Sequence, residues 1–321
     1  MRVMVTGGAG FIGGHLVRQL VSQRAASVTV LDNLRRGTLE ILSDCLSEIV
    51  FLQADVRDYD VLHHALNGID LVYHLAAQAS VMGANADLNY TLNTNVTGTF
   101  NVLQAAKING VKRVVFTSSR EVYGDPLHLP VPEAAPIRPR NAYGASKAAG
   151  EAYCSAFRSG HLQTVVLRLA NVYGCGDSDR VVPLFIENAL EGAPLVLYGG
   201  KQILDFVHVD TVVESLLKAG FGPMISEPVN IGSGKRITIS ALSERVLKLT
   251  HSSSKIELAP SRGPEVKQFV ADVGRAKKLL GLKQPDTPLF GLGEVVESIR
   301  KRTTYANVPL TSADRPRPAF T

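Results

Sequence analysis

Short apolar runs rich in β-branched residues recur through the first half of the chain, at Arg2–Thr6, Ser27–Leu31, Ile49–Gln53, Leu71–His74, Lys112–Thr117 and Thr164–Leu167. Such runs suit buried parallel strands, which are covered on both faces and so show no polar alternation. Stretches with helical spacing lie between them, at Gly13–Ser22, Asp60–Leu66, Asn93–Asn109 and Tyr143–Arg158. Strand and helix in alternation predict an α/β fold with a doubly wound parallel sheet. After residue 170 the apolar runs shorten, and Gly174, Gly176, Pro183, Pro194, Gly199 and Gly200 break them. We therefore expect a main domain over 1–170 and a smaller, discontinuous substrate lobe over 171–302, with segments near 204–231 returning to the main sheet. Helical spacing resumes at Ile239–Thr250 and Val273–Leu280. Residues 303–321 read as a mobile tail, poor in apolar content and carrying Pro309, Pro316 and Pro318.

Composition narrows the class. With 45% hydrophobic and 20% charged residues, the 321-residue chain has the balance of a soluble folded protein. Lys and Arg number 34 against 29 Asp and Glu, a net +5 that is spread along the chain. No nucleic-acid groove is expected from so diffuse a charge, and an anionic small molecule fits it at least as well. Cys45, Cys154 and Cys175 cannot all pair and lack metal-ligand spacing, which points to a reducing, cytoplasmic setting and no metal. No apolar run reaches the ~18 residues of a membrane span.

The sharpest local signal is Gly7-Gly8-Ala9-Gly10-Phe11-Ile12-Gly13, which follows the first strand and opens the first helix. Gly7 suits a tight turn, Gly10 a close approach to a pyrophosphate, and Gly13 close packing of helix on strand; this is the Rossmann dinucleotide turn, with the phosphates at the helix N-terminus. Asp32 ends the second strand, where a carboxylate accepts hydrogen bonds from a ribose diol and repels a 2′-phosphate. That favours NAD over NADP, a preference that Arg35 and Arg36 temper. Asn33, Asp55 and Val56 join the candidate cofactor site, with Asp55 ending the third strand near the expected adenine. Both aspartates could equally serve as caps of strand-end turns.

Tyr143 and Lys147 are four apart on a predicted helix, hence on one face. An ammonium near a phenol, together with a nicotinamide ring, favours the phenolate, which can then exchange a proton with a sugar hydroxyl. Such a pair is also common by chance on helix surfaces. Ser118, Ser119 and Glu121 sit at the C-terminal end of the fifth strand, where open α/β sheets bind ligands; Ser119 is placed to polarise a reacting oxygen.

These segments occur in order with His74–Ala77, Asn95–Thr99 and Arg168–Gly174, and together they resemble the nucleotide-sugar epimerase/dehydratase family of extended short-chain dehydrogenase/reductases, over residues 1–300. The branch most similar in pattern is that of UDP-glucose 4-epimerase. The resemblance implies bound NAD, a nucleotide-diphosphate sugar (a UDP-sugar favoured), and oxidation to a 4-keto sugar that is reduced again on its other face. It gives Tyr143 the proton transfer, Ser119 the reacting oxygen and Lys147 the grip on the ribose. It places Phe11, Ile12, Leu75, Ala76, Ala77, Asn95 and Ser118 at the cofactor, and Asn171, Tyr198 and Arg262 at the nucleotide diphosphate. It also implies a homodimer through the Asn93–Asn109 and Tyr143–Arg158 helices.

The chain departs from this pattern in places. Leu204 stands where the family usually has an arginine that meets the diphosphate, and Arg180 is the candidate substitute. Thr211 replaces a frequent acid. Arg120 replaces the aspartate of the dehydratase Asp-Glu pair and leaves only Glu121. We therefore expect a 4-epimerase; the alternatives are a dehydratase, decarboxylase or reductase on the same scaffold, and a non-catalytic nucleotide-binding protein.

Overall fold

The computed structural model describes residues 1–24, 27–263 and 265–306. Strands β1 (Arg2–Thr6), β2 (Ser27–Asp32), β3 (Ile49–Gln53), β4 (Leu71–His74), β5 (Arg113–Ser119) and β6 (Gln163–Leu169) alternate with helices. These are α1 (Phe11–Ser22), α2 (Tyr59–Ala65), the short α3 (Val81–Ala86) and α4 (Leu88–Thr91), α5 (Gly98–Ile108) and α6 (Ala142–Phe157). The expected Asn93–Asn109 helix is not uniform: a π-helical turn over Leu92–Thr97 precedes α5. Then follow β7 (Asn171–Tyr173), α7 (Val181–Glu191), β8 (Leu195–Tyr198), β9 (Ile203–Leu204), β10 (Phe206–His208), α8 (Val209–Phe221), β11 (Val229–Ile231), β12 (Ile237–Thr238), α9 (Ile239–Thr250), β13 (Ile256–Ala259), α10 (Gly274–Leu280) and α11 (Leu292–Ala306).

Seven strands pair in parallel in the order β11-β6-β5-β4-β1-β2-β3. Alternate residues of each strand bury on opposite faces. Val3, Val5, Val28 and Val30 pack beneath Leu16, Val17 and Leu20 of α1 and Val212 and Leu216 of α8. Met4, Leu31, Val72, Val114 and Phe116 pack beneath Leu62 of α2, Val102 and Leu103 of α5 and Cys154 of α6. The order reverses between β1 and β4, the point outside whose C-terminal strand ends open α/β sheets bind ligands.

The second lobe has its own core, with Tyr173, Val182, Phe185, Leu195, Leu204, Phe206 and Ile237. This separates the two segments expected to return to the main sheet. Val229 and Ile231 bury in the main core, and β11 pairs with β6. Leu204 and Phe206 bury in the second core, so β9 pairs with β12 and β10 with β7. Helix α11 continues past 303, the expected start of the tail, to Ala306. Its Leu292, Val295, Val296 and Ile299, spaced at three and four, close the second core. Residues 307–321 lie outside the described residues. No helix among the described residues is long and apolar enough to cross a membrane.

Two arginines tie the layers together. Nη1 of Arg113 donates to the carbonyls of Ala219, Gly220 and Gly222 at 2.8–2.9 Å, a cation at the end of α8 where the helix dipole is negative. Arg168 of β6 is buried and forks onto Glu151 of α6, with Nε to Oε1 at 2.9 Å and Nη2 to Oε2 at 2.6 Å. Its Nη1 donates to Tyr123 Oη at 2.8 Å, and Tyr123 donates to Asn230 Oδ1 of β11 at 2.7 Å. Ser118 of β5 donates to the same Glu151. Removing one member of a buried pair leaves an uncompensated charge. Glu151→Gln is expected to cost about 3–5 kcal/mol, read as a lower unfolding midpoint in urea; a change under about 1 kcal/mol, the range of an exposed pair, would show that the network does not hold these layers.

Candidate active site

The site begins at the turn after β1. Gly7 has φ +74°, and a Cβ there would lie 2.6 Å from the Ala76 nitrogen; a Cβ on Gly13 would lie 2.2 Å from the Gly7 carbonyl oxygen. Only glycine lets α1 start this close to the strand ends. No side chain caps the first turn of α1, whose N-cap is Gly10, so its amides are open to an anion. The residues present therefore fit a dinucleotide pyrophosphate. Asp32 braces the turn: Oδ2 accepts from Ala9 N at 3.0 Å and Oδ1 from Leu34 N at 2.9 Å. Burial pushes its pKa up, and those two backbone bonds pull against the shift. The turn-capping and ribose readings of Asp32 are compatible, because each oxygen keeps a further lone pair.

At the end of β3, where the sequence predicts the adenine, Asn33 donates to Asp55 Oδ2 at 2.8 Å, and Arg57 donates to both Asp55 oxygens at 2.9 and 2.8 Å. Burial opposes the charge on Asp55, but the bonds from Arg57 and Asn33 outweigh it and bring the carboxyl down to about 2. The carboxylate is thus committed within the protein. Val56 is buried and packs on Gly98. Arg35 and Arg57 stack on Tyr90, at 3.9 and 5.1 Å from its ring centre, which turns Arg35 towards that aromatic ring.

Beside the turn, Leu75 N donates to Thr6 O at 3.0 Å and Ala76 N to Thr6 Oγ1 at 3.4 Å, leading into Ala77. Asn95, in the π-helical turn, clamps Gln78: Oδ1 accepts its N–H at 2.7 Å, and Nδ2 donates to its carbonyl at 3.1 Å and to Ser146 Oγ at 2.9 Å. His74 lies between Thr6 Oγ1 at 2.7 Å and Thr99 Oγ1 at 3.0 Å. Burial, then the Lys147 charge, lowers its pKa to about 3, so it is neutral at pH 7.

Helix α6 carries the candidate reactive face. Asn141 caps it, with Oδ1 accepting from Gly144 N at 2.8 Å. Tyr143, Lys147 and Glu151 recur at four-residue spacing and all reach β5. Tyr143 faces Ser119, which pulls its pKa down, Lys147 Nζ donates to Thr117 O at 2.8 Å, and Glu151 accepts from Ser118. Ser118 is therefore bound to the structural network. A Cβ on Gly144 would sit 2.4 Å from Glu121 O, and one on Gly150 2.5 Å from Phe116 Cζ, so two glycines bracketing Lys147 permit this approach. Burial pushes Tyr143 up to about 12, against the pull of Arg180, Ser119 and Arg120 and with the repulsion of Glu121. Burial brings Lys147 down to about 8.

Glu121 is buried and doubly held. Its Oε1 pairs with Arg120 Nη2 at 2.9 Å, and its Oε2 accepts from Asn141 Nδ2 at 2.7 Å. Arg120 Nε donates to Asn171 Oδ1 at 3.2 Å, which joins the second lobe to the strand end. Arg180 pairs with Asp177 at 2.7 Å and lies over Phe11, 5.5 Å from its ring centre; Ile12 packs on the main core beside it. Further out, Arg262 stacks on Tyr198 at 3.6 Å and pairs with Glu265 at 3.7 Å. Burial raises the Glu265 pKa, opposed by Arg262 and Arg120. Leu204 is enclosed in the second core, so its side chain offers nothing to a phosphate.

The structure thus brings together Ser119, Glu121, Tyr143, Lys147, Asn171 and Arg180. Tyr198 and Arg262 pair with each other and join this group through Glu265. Sequence reading overlooked Glu151, Asn141 and Glu265. The four-residue step after Lys147 marks Glu151, and an Asn two residues before Tyr143 is a helix-cap signal; nothing local marks Glu265.

A family model described as NAD dependent epimerase/dehydratase matches residues 3–232. UDP-glucuronic acid decarboxylase 4 of Arabidopsis thaliana is 35% identical over 312 residues, 94% of this chain and 69% of its own length. Among solved structures, UDP-glucose 4-epimerase of Thermotoga maritima with UDP-glucose has a TM-score of 0.89 at 33% identity, covering 94% of this chain and 100% of its own. A dTDP-glucose 4,6-dehydratase from Streptomyces venezuelae with NAD bound has a TM-score of 0.90 at 32% identity, covering 95% and 98%. Three different reactions are thus represented at nearly equal similarity. The glycine turn, the Ser-Tyr-Lys face and these matches lead to one conclusion: the chain belongs to the NAD dependent epimerase/dehydratase family of nucleotide-sugar enzymes, extended short-chain dehydrogenase/reductases.

Proposed function

We propose that the protein is a nucleotide-sugar 4-epimerase. The observation that carries this reading is the state of Glu121. An elimination or a proton abstraction beside the keto carbon needs a free carboxylate, and Glu121 is held by Arg120 at 2.9 Å and Asn141 at 2.7 Å. Ser119, Tyr143 and Lys147, the set that oxidation at C4 would use in either reading, lie together beside it.

The cofactor would lie along Gly7, Gly10, Phe11, Ile12, Asp32, Asn33, Val56 and Leu75–Ala77, with Lys147 on its ribose. Bound NAD would supply the two-electron oxidation and re-reduction of C4 and, when oxidised, a positive charge that favours the Tyr143 phenolate. Tyr143 Oη takes the proton of the 4-hydroxyl and returns it after the sugar has turned. Arg180, Ser119 and Arg120 act to favour its phenolate, against burial and Glu121. Ser119 holds the reacting oxygen, and its own Oγ is oriented by accepting Glu121 N at 3.2 Å. Asn171, Arg180, Tyr198 and Arg262 hold the nucleotide diphosphate. A homodimer through α5 and α6 belongs to this reading; Ala145, Ala152 and Ala156 on α6 are small and exposed, as a close helix contact needs. The second reading, oxidation followed by loss of CO₂ from a uronate, draws on the plant decarboxylase relative.

Incubation with UDP-glucose, UDP-glucuronate and their N-acetyl counterparts is expected to invert C4 without CO₂ release, followed by NMR. Tyr143→Phe is expected to lower kcat by about 10²- to 10⁴-fold. A pentose with CO₂, a 4-keto-6-deoxy sugar, or an unchanged rate in the variant would contradict the proposal.

Lys147 gives a pH test. Its folded pKa is about 8 against an ordinary 10.5. Below pH 8 it is charged in both folded and unfolded chains and the burial cost is fully present. Between these values the folded protein sheds the proton first and the cost fades. The stability of Lys147→Met relative to the native chain is therefore expected to be most favourable near pH 7 and to decline towards pH 10 in urea titrations. A pH-independent difference would refute the shift.

A further inference from the structure

Arg120 is more than a lost aspartate. It directly follows Ser119, and two edges of its guanidinium are fixed, Nε by Asn171 at 3.2 Å and Nη2 by Glu121 at 2.9 Å. The third nitrogen, Nη1, is shielded from solvent and has no hydrogen-bond partner among the described residues. A buried charged donor without an acceptor is costly, and here its direction is locked by the other two bonds. The neighbouring cations differ from it. Arg180 is paired with Asp177 at 2.7 Å, and Arg262 is paired with Glu265 and stacked on Tyr198. Arg120 thus offers an unmet charged donor at the reacting end of the site.

We propose that Arg120 receives a carboxylate on the sugar itself, so that the preferred substrates are nucleotide-diphospho-hexuronates rather than neutral hexoses. This rests on the nucleotide-sugar reading of the site. With Tyr143 and Ser119 at the C4 oxygen, a residue adjoining Ser119 is near the substituents on C3 and C5; of these only the C5 carboxylate of a hexuronate carries the negative charge that a guanidinium selects. Its charge also acts on Tyr143, which places it at the sugar end. The diphosphate is the competing acceptor. The Tyr198–Arg262 stack marks the nucleotide end, and Arg120 reaches that end only indirectly, through Glu265.

Calorimetric titration of the NAD-loaded protein with UDP, UDP-glucose and UDP-glucuronate tests this. The native protein is expected to bind UDP-glucuronate about ten- to a hundredfold more tightly than UDP-glucose, the scale of a charge-assisted hydrogen bond. Arg120→Gln is expected to abolish that preference, with a much smaller change for UDP and UDP-glucose, and Arg120→Lys to restore part of it. Equal binding of the two sugars by the native protein, or an equal loss for all three ligands in Arg120→Gln, would overturn the proposal. The native comparison needs no variant, so a misfolded Arg120→Gln leaves the test intact. Product analysis separates the two readings: tight uronate binding without C4 inversion defeats the epimerase and spares Arg120. C4 inversion of UDP-glucose without a uronate preference does the reverse.

Discussion

The close approach of α6 to β5 is the constraint on which the rest of the site depends. Gly144 and Gly150 bracket Lys147, and a side chain at either would strike the Glu121 carbonyl or the Phe116 ring. Because the helix lies this near, three side chains on one face reach three consecutive positions of the strand end. Tyr143 meets Ser119, Glu151 meets Ser118, and Lys147 meets the carbonyl of Thr117. The first contact is the one proposed for the chemistry, the second joins the Glu151–Arg168 network, and the third holds a buried ammonium. The lowered Lys147 and raised Tyr143 pKa values follow from the same enclosure.

A second seam joins the two lobes. Asn171 accepts from Arg120 and donates to the Asp205 carbonyl at 3.0 Å. The Asp205 carboxylate accepts from Ser233 N at 2.8 Å, Ser233 Oγ at 2.6 Å, Gly234 N at 3.0 Å and Ala271 N at 3.0 Å. One carboxylate therefore gathers the loop after β11 and the segment before α10 beside Asn171. Leu204, next to it, contributes to the apolar core instead of to binding. No cation stands at that position; the lobe carries Arg180 at the start of α7 and Arg262 on the Tyr198 ring instead.

The main domain was largely legible because its signals are local. Apolar runs mark the strands, and the glycine turn must follow a strand to work. Tyr143 and Lys147 were visible as an i, i+4 pair. What escaped notice depends on tertiary contacts. Glu151 looks like an ordinary helix-surface acid until Arg168, 17 positions later on β6, is seen against it. The divided fate of 204–231 turns on which of two cores takes Leu204 or Val229, and both read simply as apolar. The π-helical turn at 92–97 has no period of its own in so short a stretch. Arg120 was noticed as a departure, but its free nitrogen appears only once Asn171 and Glu121 are in place.

In the proposed epimerisation Tyr143 moves only a hydroxyl proton, while the hydrogen on C4 leaves and returns without exchange and Glu121 stays out of the reaction. Running the turnover of UDP-glucuronate in D₂O and reading the product by NMR tests this directly. The account predicts the C4 epimer with ordinary hydrogen retained at both C4 and C5. Deuterium at C5 would show proton removal beside the keto carbon, and deuterium at C4 would show exchange with solvent; either result contradicts it.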